Sequence, residues 1–422
     1  LDKILNKRDA IHLGRKGHLK VLSFLPICMS ILAFILDTPT NIIRGLYNII
    51  IAPDILLTDY IAVGGVGAAF VNSAILAFVN IYILYKLKLK VNGTLIATTL
   101  TIMGFSFIGK NVFNIMPIYL GGYLYCKYQE IEFKNVVLVV MFGSTLAPLV
   151  SEIAFGLHVP VEIGIPLGII FGIIAGFVIT PLSSHMVKVH DGYNLYNTGF
   201  TAGLLGSVIT SILRGFGLII EPQQVLSSDV DVLLKVIFIT TFILLIILGY
   251  IINGRSFKGY KEILTYSGRL VTDFTQLTSY GITYINMGIM GLISVTYVII
   301  SGGIMNGPVA AAILTVVGFS AFGKHPKNAI PILIGVFIAG LTKIWHIDST
   351  MVIIAGLFGT TLAPIAGAYG WIVGIITGFI HLSVVMNVGV LHGGINLYNN
   401  GFSGGIVAAL IVPLIDAFKK GD

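Results

Sequence analysis

The chain has 422 residues, of which 56% are hydrophobic and only 10% charged, with a formal net charge of +7 and a mean hydropathy of +0.96. A water-soluble domain carries roughly 25% charged residues, so this composition excludes a surface built for water and makes lipid the solvent. The positive charge does not indicate nucleic acid, because the basic residues cluster at the ends of apolar runs and no basic patch is interleaved with aromatics. The two cysteines, Cys28 and Cys126, are too few for a disulfide framework or a metal cage.

In hydrocarbon every backbone polar group must be paired internally, which leaves helices or a closed barrel. Runs such as Val232–Ile252 and Ile282–Ile300 are long and do not alternate as barrel strands would, so the expected class is an all-α polytopic membrane protein. In chain order, Leu1–Lys20 is basic and amphipathic and has no signal-peptide cleavage pattern. With Leu at position 1, the natural start is expected upstream. A first membrane helix is predicted near 20–36 and an interfacial piece near 41–52. Six segments follow at 60–86, 94–108, 111–127, 134–150, 163–186 and 192–214. A single helix at 231–252 and a polar linker at 253–276 lead to six more, at 279–301, 308–322, 328–342, 349–366, 370–390 and 392–413. The expected organisation is an N-terminal part (1–59), a first membrane repeat (60–215), a linking part (216–276) and a second repeat (277–422).

The repeat is read directly from the residues. GFSFIGKNVFNIMP (104–117) matches GFSAFGKHPKNAIP (318–331) at seven positions without a gap, and the same offset pairs Asn92-Gly93 with Asn306-Gly307. FGSTLAP (142–148) matches FGTTLAP (358–364), and HDGYNLYNTGFTAG (190–203) matches HGGINLYNNGFSGG (392–405). The second half lacks a counterpart to the stretch around His158–Glu162. Six segments plus the single helix make an odd number, so the second repeat starts on the opposite face. Inverted repeats of this kind place a solute site near the membrane midplane. If the termini are cytoplasmic, twenty Lys/Arg lie inside and five outside, the bias expected of a multi-pass cell-membrane protein. Segments 94–108 and 111–127 are short for spanning and form a re-entrant hairpin in an alternative map, as do 308–322 and 328–342.

Three motifs carry candidate chemistry. On a continuous helix, His190, Asn194, Asn197 and Thr201 would share one face, as would His392, Asn396, Asn399 and Ser403. Such a polar stripe faces either a water-filled path or a partner helix, the second reading being interhelical glue. G-F-S-x-x-G-K-x-x-x-N-x-x-P contributes Ser106, Lys110 and Asn114, and Ser320, Lys324 and Asn328. A hairpin would bring both lysines and the amino end of the following helix deep inside as an anion site. The plainer alternative is a lysine anchored at the water interface. F-G-[ST]-T-L-A-P breaks helices at matched places, where freed carbonyls and the Thr145 and Thr361 hydroxyls would coordinate a solute or cation, or where the helix merely kinks. Carboxylates are sparse, with Glu152, Glu162, Asp191 and Asp273 near segment ends and none expected at mid-depth. No metal-ligand spacing, cofactor motif or nucleophile–base pair is present, so no enzyme activity, metal or cofactor is expected.

These motifs together resemble an uncharacterised bacterial integral membrane protein family catalogued as domain of unknown function 1576, over nearly the whole chain. That resemblance implies no substrate. ITYINMGIMGLI (282–293) is also loosely similar to the Asn–Pro–Leu–Thr–Gly pattern of urea transporters. Asn286 matches, Met287 and Ile289 replace the proline and threonine, and Gly291 comes one residue late. The first half keeps Asn72. The expected function is a transporter or channel for a small polar solute or an anion, embedded in the lipid bilayer, with no nucleic-acid partner; transporters of this kind often form homo-oligomers, and the sequence leaves the oligomeric state open. An intramembrane enzyme and a structural or signalling membrane protein are the rival readings.

Overall fold

The computed structural model describes residues 9–157, 159–221 and 224–418. The first eight residues of the basic amphipathic segment, His158, and Lys419 and Lys420 of the charge map lie outside the described residues. The described chain is all-helical, and nine of its helices are long and apolar enough to cross a membrane.

α1 (Arg15–Leu36) and the short amphipathic α2 (Pro39–Ile51) lead the chain. α2 starts where Thr38 accepts from Asn41 N at 3.3 Å and Pro39 fills the first turn. A one-turn α3 (Tyr60–Gly64) and α4 (Val66–Lys86) follow. α5 (Gly93–Phe105) and α6 (Val112–Tyr128) form a hairpin. α7 (Val137–Gly156) is broken by a 3-10 turn at Ser144–Leu146 and ends in a π-helical turn, Glu152–Gly156. α8 (Val161–Met186), α9 (Asn197–Gly215) and the linking α10 (Asp231–Ile252) complete the first part. The second half repeats the pattern with α11 (Tyr280–Ile300), α12 (Gly307–Phe319) and α13 (Pro326–Thr342). It ends with α14 (Thr350–Tyr369), broken by a 3-10 turn at Thr360–Leu362, then α15 (Trp371–Val388) and α16 (Asn399–Phe418).

α5 and α12 occupy the centre. Every residue of α12 and all of α5 except Thr94 are buried, so neither presents a face to lipid. At 13 residues each is about 20 Å long, short of the ~30 Å hydrocarbon core. Asn92 and Asn306, of the repeated Asn-Gly pairs, are their N-caps, accepting from Leu95 N and Val309 N. Gly104, late in α5, lies against Ala311, early in α12, and Gly318, late in α12, lies against Ala97. The two helices therefore run antiparallel, the relation expected of inverted repeats. α9 and α16 meet through their amino-terminal turns, with Gly199 against Gly401, Gly203 against Phe402 and Gly405 against Phe200.

α6 packs on α8, and α13 on α15, by backbone contact through glycine. A Cβ on Gly121 would strike the Ile173 carbonyl and one on Gly176 the Ile118 carbonyl. Gly335 against Ile375 and Gly378 against Ile332 repeat both contacts. This small-residue packing is how helices approach closely in lipid, where no hydrophobic drive separates helix from solvent.

Candidate functional site

Each hairpin turns at a buried tip. Ser106–Asn111 and Ser320–His325 are buried throughout, and Lys110 and Lys324 are each 0% exposed. The interface-anchor reading of these lysines is therefore overturned. One was counted on each side of the membrane, so the charge bias survives their removal. Lys110 Nζ donates to Ser144 Oγ at 2.9 Å and to Tyr398 OH at 2.7 Å, and lies 4.6 Å from the Tyr398 ring centre. Lys324 Nζ donates to Thr360 Oγ1 at 2.8 Å and Tyr196 OH at 2.6 Å, and lies 4.5 Å from the Tyr196 ring centre. Each ammonium thus reaches a tyrosine from the opposite half, and among the described residues neither has a carboxylate partner.

Local bonds fix the tips. Asn114 Nδ2 donates to Gly109 O at 3.0 Å and Asn328 Nδ2 to Gly323 O at 2.8 Å, and both close capping boxes with Asn111 and His325. The amino ends of α6 and α13 are thereby occupied by their own caps, not left open for an anion. The Ser106 and Ser320 hydroxyls bond back to Ile102 O and Val316 O in their own helices. Asn72 Nδ2 donates to Ser106 O and Lys110 O at 2.7 and 2.8 Å, and Asn286 Nδ2 repeats this on Ser320 O and Lys324 O at 2.7 and 2.8 Å. The residues singled out by the urea-transporter likeness thus brace the tips. Asn72→Leu or Asn286→Leu is expected to cost about 1–3 kcal/mol for each buried carbonyl left without a donor, read as a fall in Tm of the purified protein.

The His/Asn stripes are not helix faces. α9 and α16 begin only at Asn197 and Asn399. Upstream, Asp191 (φ 50) and Gly192 (φ 77), and Gly393 (φ 58) and Gly394 (φ 82), take left-handed backbone that ends any helix. The freed residues pair with one another. His190 Nε2 lies 2.9 Å from Asn197 Oδ1, and His392 Nε2 lies 2.9 Å from Asn399 Oδ1. Thr145 Oγ1 donates to Asn396 Oδ1 at 2.8 Å, and Asn396 Nδ2 donates to Gly199 O at 3.1 Å. Thr361 Oγ1 donates to Asn194 Oδ1 at 2.6 Å, and Asn194 Nδ2 donates to Gly401 O at 2.9 Å. The broken helices' carbonyls Thr145 O and Thr361 O accept from Leu397 N and Leu195 N. Thr201 and Ser403 bond back to Asn197 O and Asn400 O. The expected coordinating hydroxyls and carbonyls are therefore engaged in joining the halves, the glue reading of these motifs.

These bonds frame an aromatic cavity of about 350 Å³ between the halves. Phe105, Phe142, Tyr196, Phe319, Phe358 and Tyr398 line it, so the tyrosines that hold the lysines are its walls. Thr101 and Thr315, at matched positions on α5 and α12, also line it, and the buried Thr101 hydroxyl has no partner among the described residues. At its mouth, beside Leu270, Val271 is 81% exposed. On the far side the equivalent residues, Leu56, Leu57, Ile108, Ile354, Ala355 and Leu397 among them, enclose only about 10 Å³. Phe358, Leu397 and Asn400 line both spaces and form the partition. A larger groove of about 480 Å³, between α1, α10 and α11, is apolar and sits on the two helices least covered by protein.

Two carboxylates, Asp59 and Asp54, are not among the sequence candidates, and Asp273 is placed there only near a segment end. Asp59 Oδ2 accepts from Gly307 N at 3.2 Å, and Asp273 accepts from Gly93 N at 3.0 Å, so each half supplies the acid at the amino end of the other half's central helix. The signal was there: Leu-Leu-Thr-Asp (56–59) and Leu-Val-Thr-Asp (270–273) share the offset of the hairpin motifs. The other, Asp54, is fully buried beside the first tip.

The fold and this centre define a multi-span helical membrane protein whose two halves meet across an aromatic cavity backed by buried lysines. The chain belongs to the family described as protein of unknown function DUF1576, whose model matches residues 38–215 and 252–417. No curated protein and no solved structure matches it.

Proposed function

We propose that this protein is a transporter that carries a small polar solute, by preference an anion, between its two halves by alternating access. The observation that carries the reading is the pair of matched spaces, one of about 350 Å³ and one of about 10 Å³, lined by equivalent residues of a duplicated sequence. In an inverted repeat, exchanging the two halves' conformations closes the open space and opens the closed one. Met351 and Met386, on the closed side, are flexible side chains suited to such repacking. The Lys/Arg bias favours both termini in the cytoplasm of a multi-pass cell-membrane protein, and the open cavity then faces inward. In this reading the α5–α6 and α12–α13 hairpins are re-entrant, their buried tips meeting the solute path. Two lysine amino groups, without carboxylate partners among the described residues, stand behind the tyrosine walls, so an anion in the cavity would supply the negative charge that favours their protonated form. Each tyrosine hydroxyl accepts from a lysine and keeps its own proton to donate to a bound anion. Because the polar groups bind each other rather than converge on a reacting atom, we read the protein as a carrier and not an enzyme.

The test uses protein with Cys28 and Cys126 replaced by serine, carrying Val271→Cys or Leu57→Cys, in proteoliposomes with a membrane-impermeant maleimide. Val271→Cys should label readily and Leu57→Cys, whose parent residue is 2% exposed, slowly. A transported solute from a panel of small carboxylates, phosphates and amides should shift the two rates in opposite directions. If no solute changes either rate, or if both sites label rapidly together, alternating access is wrong.

A further inference from the structure

The two halves match contact for contact at the tips, and one cluster breaks the match. Asp54 is 0% exposed, and its Oδ2 accepts from Tyr60 OH at 2.7 Å, Asn114 Nδ2 at 3.0 Å and Asn111 Nδ2 at 3.3 Å. Its other oxygen, Oδ1, is buried with no hydrogen-bond partner among the described residues. Ser151 and Glu152, on α7 where it enters its π-helical turn, complete the group. At the same offsets the second half has Gly268 for Asp54, Phe274 for Tyr60, Gly367 for Ser151 and Ala368 for Glu152. The second tip folds equally well without any of them, so the cluster is not required to build a tip. A carboxylate oxygen buried without a donor is costly, and a second carboxylate beside it raises that cost.

We infer that the first half holds a binding site for one monovalent cation at Asp54 Oδ1 and Glu152. Among the described residues no third acid, histidine or cysteine joins them. With Asp54 Oδ2 already taken by three donors, Oδ1, Glu152 and the Ser151 hydroxyl offer fewer oxygens than the roughly six to eight that a hard divalent ion gathers, and so suit a sodium ion or a proton. The titratable groups that act on Asp54 are Tyr60 from α3 and Glu152 from α7, and the nearest basic side chain of the tip is Lys110. The Lys110 ammonium is directed away, to Ser144 and Tyr398. One face of the cluster is the hairpin that carries Lys110, so a cation there is placed to set the charge of the first half as a solute anion enters. That the cation is a coupling ion rests on the transport reading above, whereas its binding does not.

The experiment is therefore an equilibrium one. Thermal unfolding of the full chain in detergent is followed in sodium chloride, potassium chloride and choline chloride at equal ionic strength, from mildly acid to mildly alkaline pH. The wild type should gain several degrees in Tm with sodium over choline, or with acidification alone if the cation is a proton, because a ligand of the folded state must stabilise it. Asp54→Asn should abolish the gain and Glu152→Gln should weaken it. Should Asp54→Asn fail to fold, Glu152→Gln decides the matter, since among the described residues the Glu152 side chain makes no hydrogen bond that its loss would break. A wild type indifferent to both cation and pH, or a gain that persists in both variants, overturns the site. Neither result touches the cysteine-labelling test of transport.

Discussion

Lys110→Met and Lys324→Met are expected to leave the protein folded and at least as heat-stable as the wild type, while weakening anion binding roughly 10- to 100-fold. The second figure corresponds to about 1.5–3 kcal/mol for a hydrogen bond to a charged group. The first follows from burial. Each lysine is 0% exposed and bonded only to neutral hydroxyls. Taking an ammonium out of water costs several kcal/mol, and replacing buried charge by a well-packed apolar side chain is often neutral or stabilising by about 1–4 kcal/mol. Methionine fills the same channel, and Ser144 and Thr360 retain their bonds to Met141 O and Leu357 O. Calorimetric or fluorescence Tm values, with and without small anions, check both halves of the expectation. A large fall in Tm without any anion effect in the wild type would make the lysines structural and remove the lysine-backed cavity from the functional argument.

The largest effect on folding is expected at the glycines between α6 and α8. Gly121→Leu should yield little or no folded protein, and so should Gly335→Leu at the equivalent place between α13 and α15. A Cβ at either position collides with a backbone carbonyl, of Ile173 or Ile375. The neighbouring helix, not a mobile side chain, would have to move, so the cost exceeds the ~1–3 kcal/mol typical of an overpacked core. Gly215→Ala is the control, because a Cβ there meets nothing within 4 Å. Size-exclusion profiles of the three variants in one detergent suffice. A monodisperse Gly121→Leu protein would show that the α6–α8 contact is looser than drawn.

Much of the architecture was legible because lipid imposes a length and a composition on each helix. The α10 boundaries, Asp231–Ile252, coincide with the expected 231–252, and α11 and α15 differ from expectation by one or two residues at each end. α9 and α16 were misjudged. A polar repeat at helical spacing predicts a helix face, but Asp191-Gly192 and Gly393-Gly394 break it. The motif suits either a water-filled path or a partner helix, and distance decides between them: Asn194 and Asn396 reach the opposite half's backbone. Asp54 was passed over because it precedes the first repeat in the chain and has no counterpart by which a repeat search would find it.

The amino-acid order alone establishes the helical membrane class, the duplication and the membership of both lysines in a repeated motif, because hydrophobic length and residue identity at fixed offsets are properties of the chain. Whether those lysines sit at the water interface or in the protein interior depends on how far a 13-residue helix reaches before it turns. That depth is set by Asn72, Asn286 and the cross-half caps Asp59 and Asp273. The open cavity on one side and the closed one on the other depend on side chains more than a hundred residues apart meeting at an interface. Only tertiary packing decides them, because the two halves share the motif but take unequal arrangements around it.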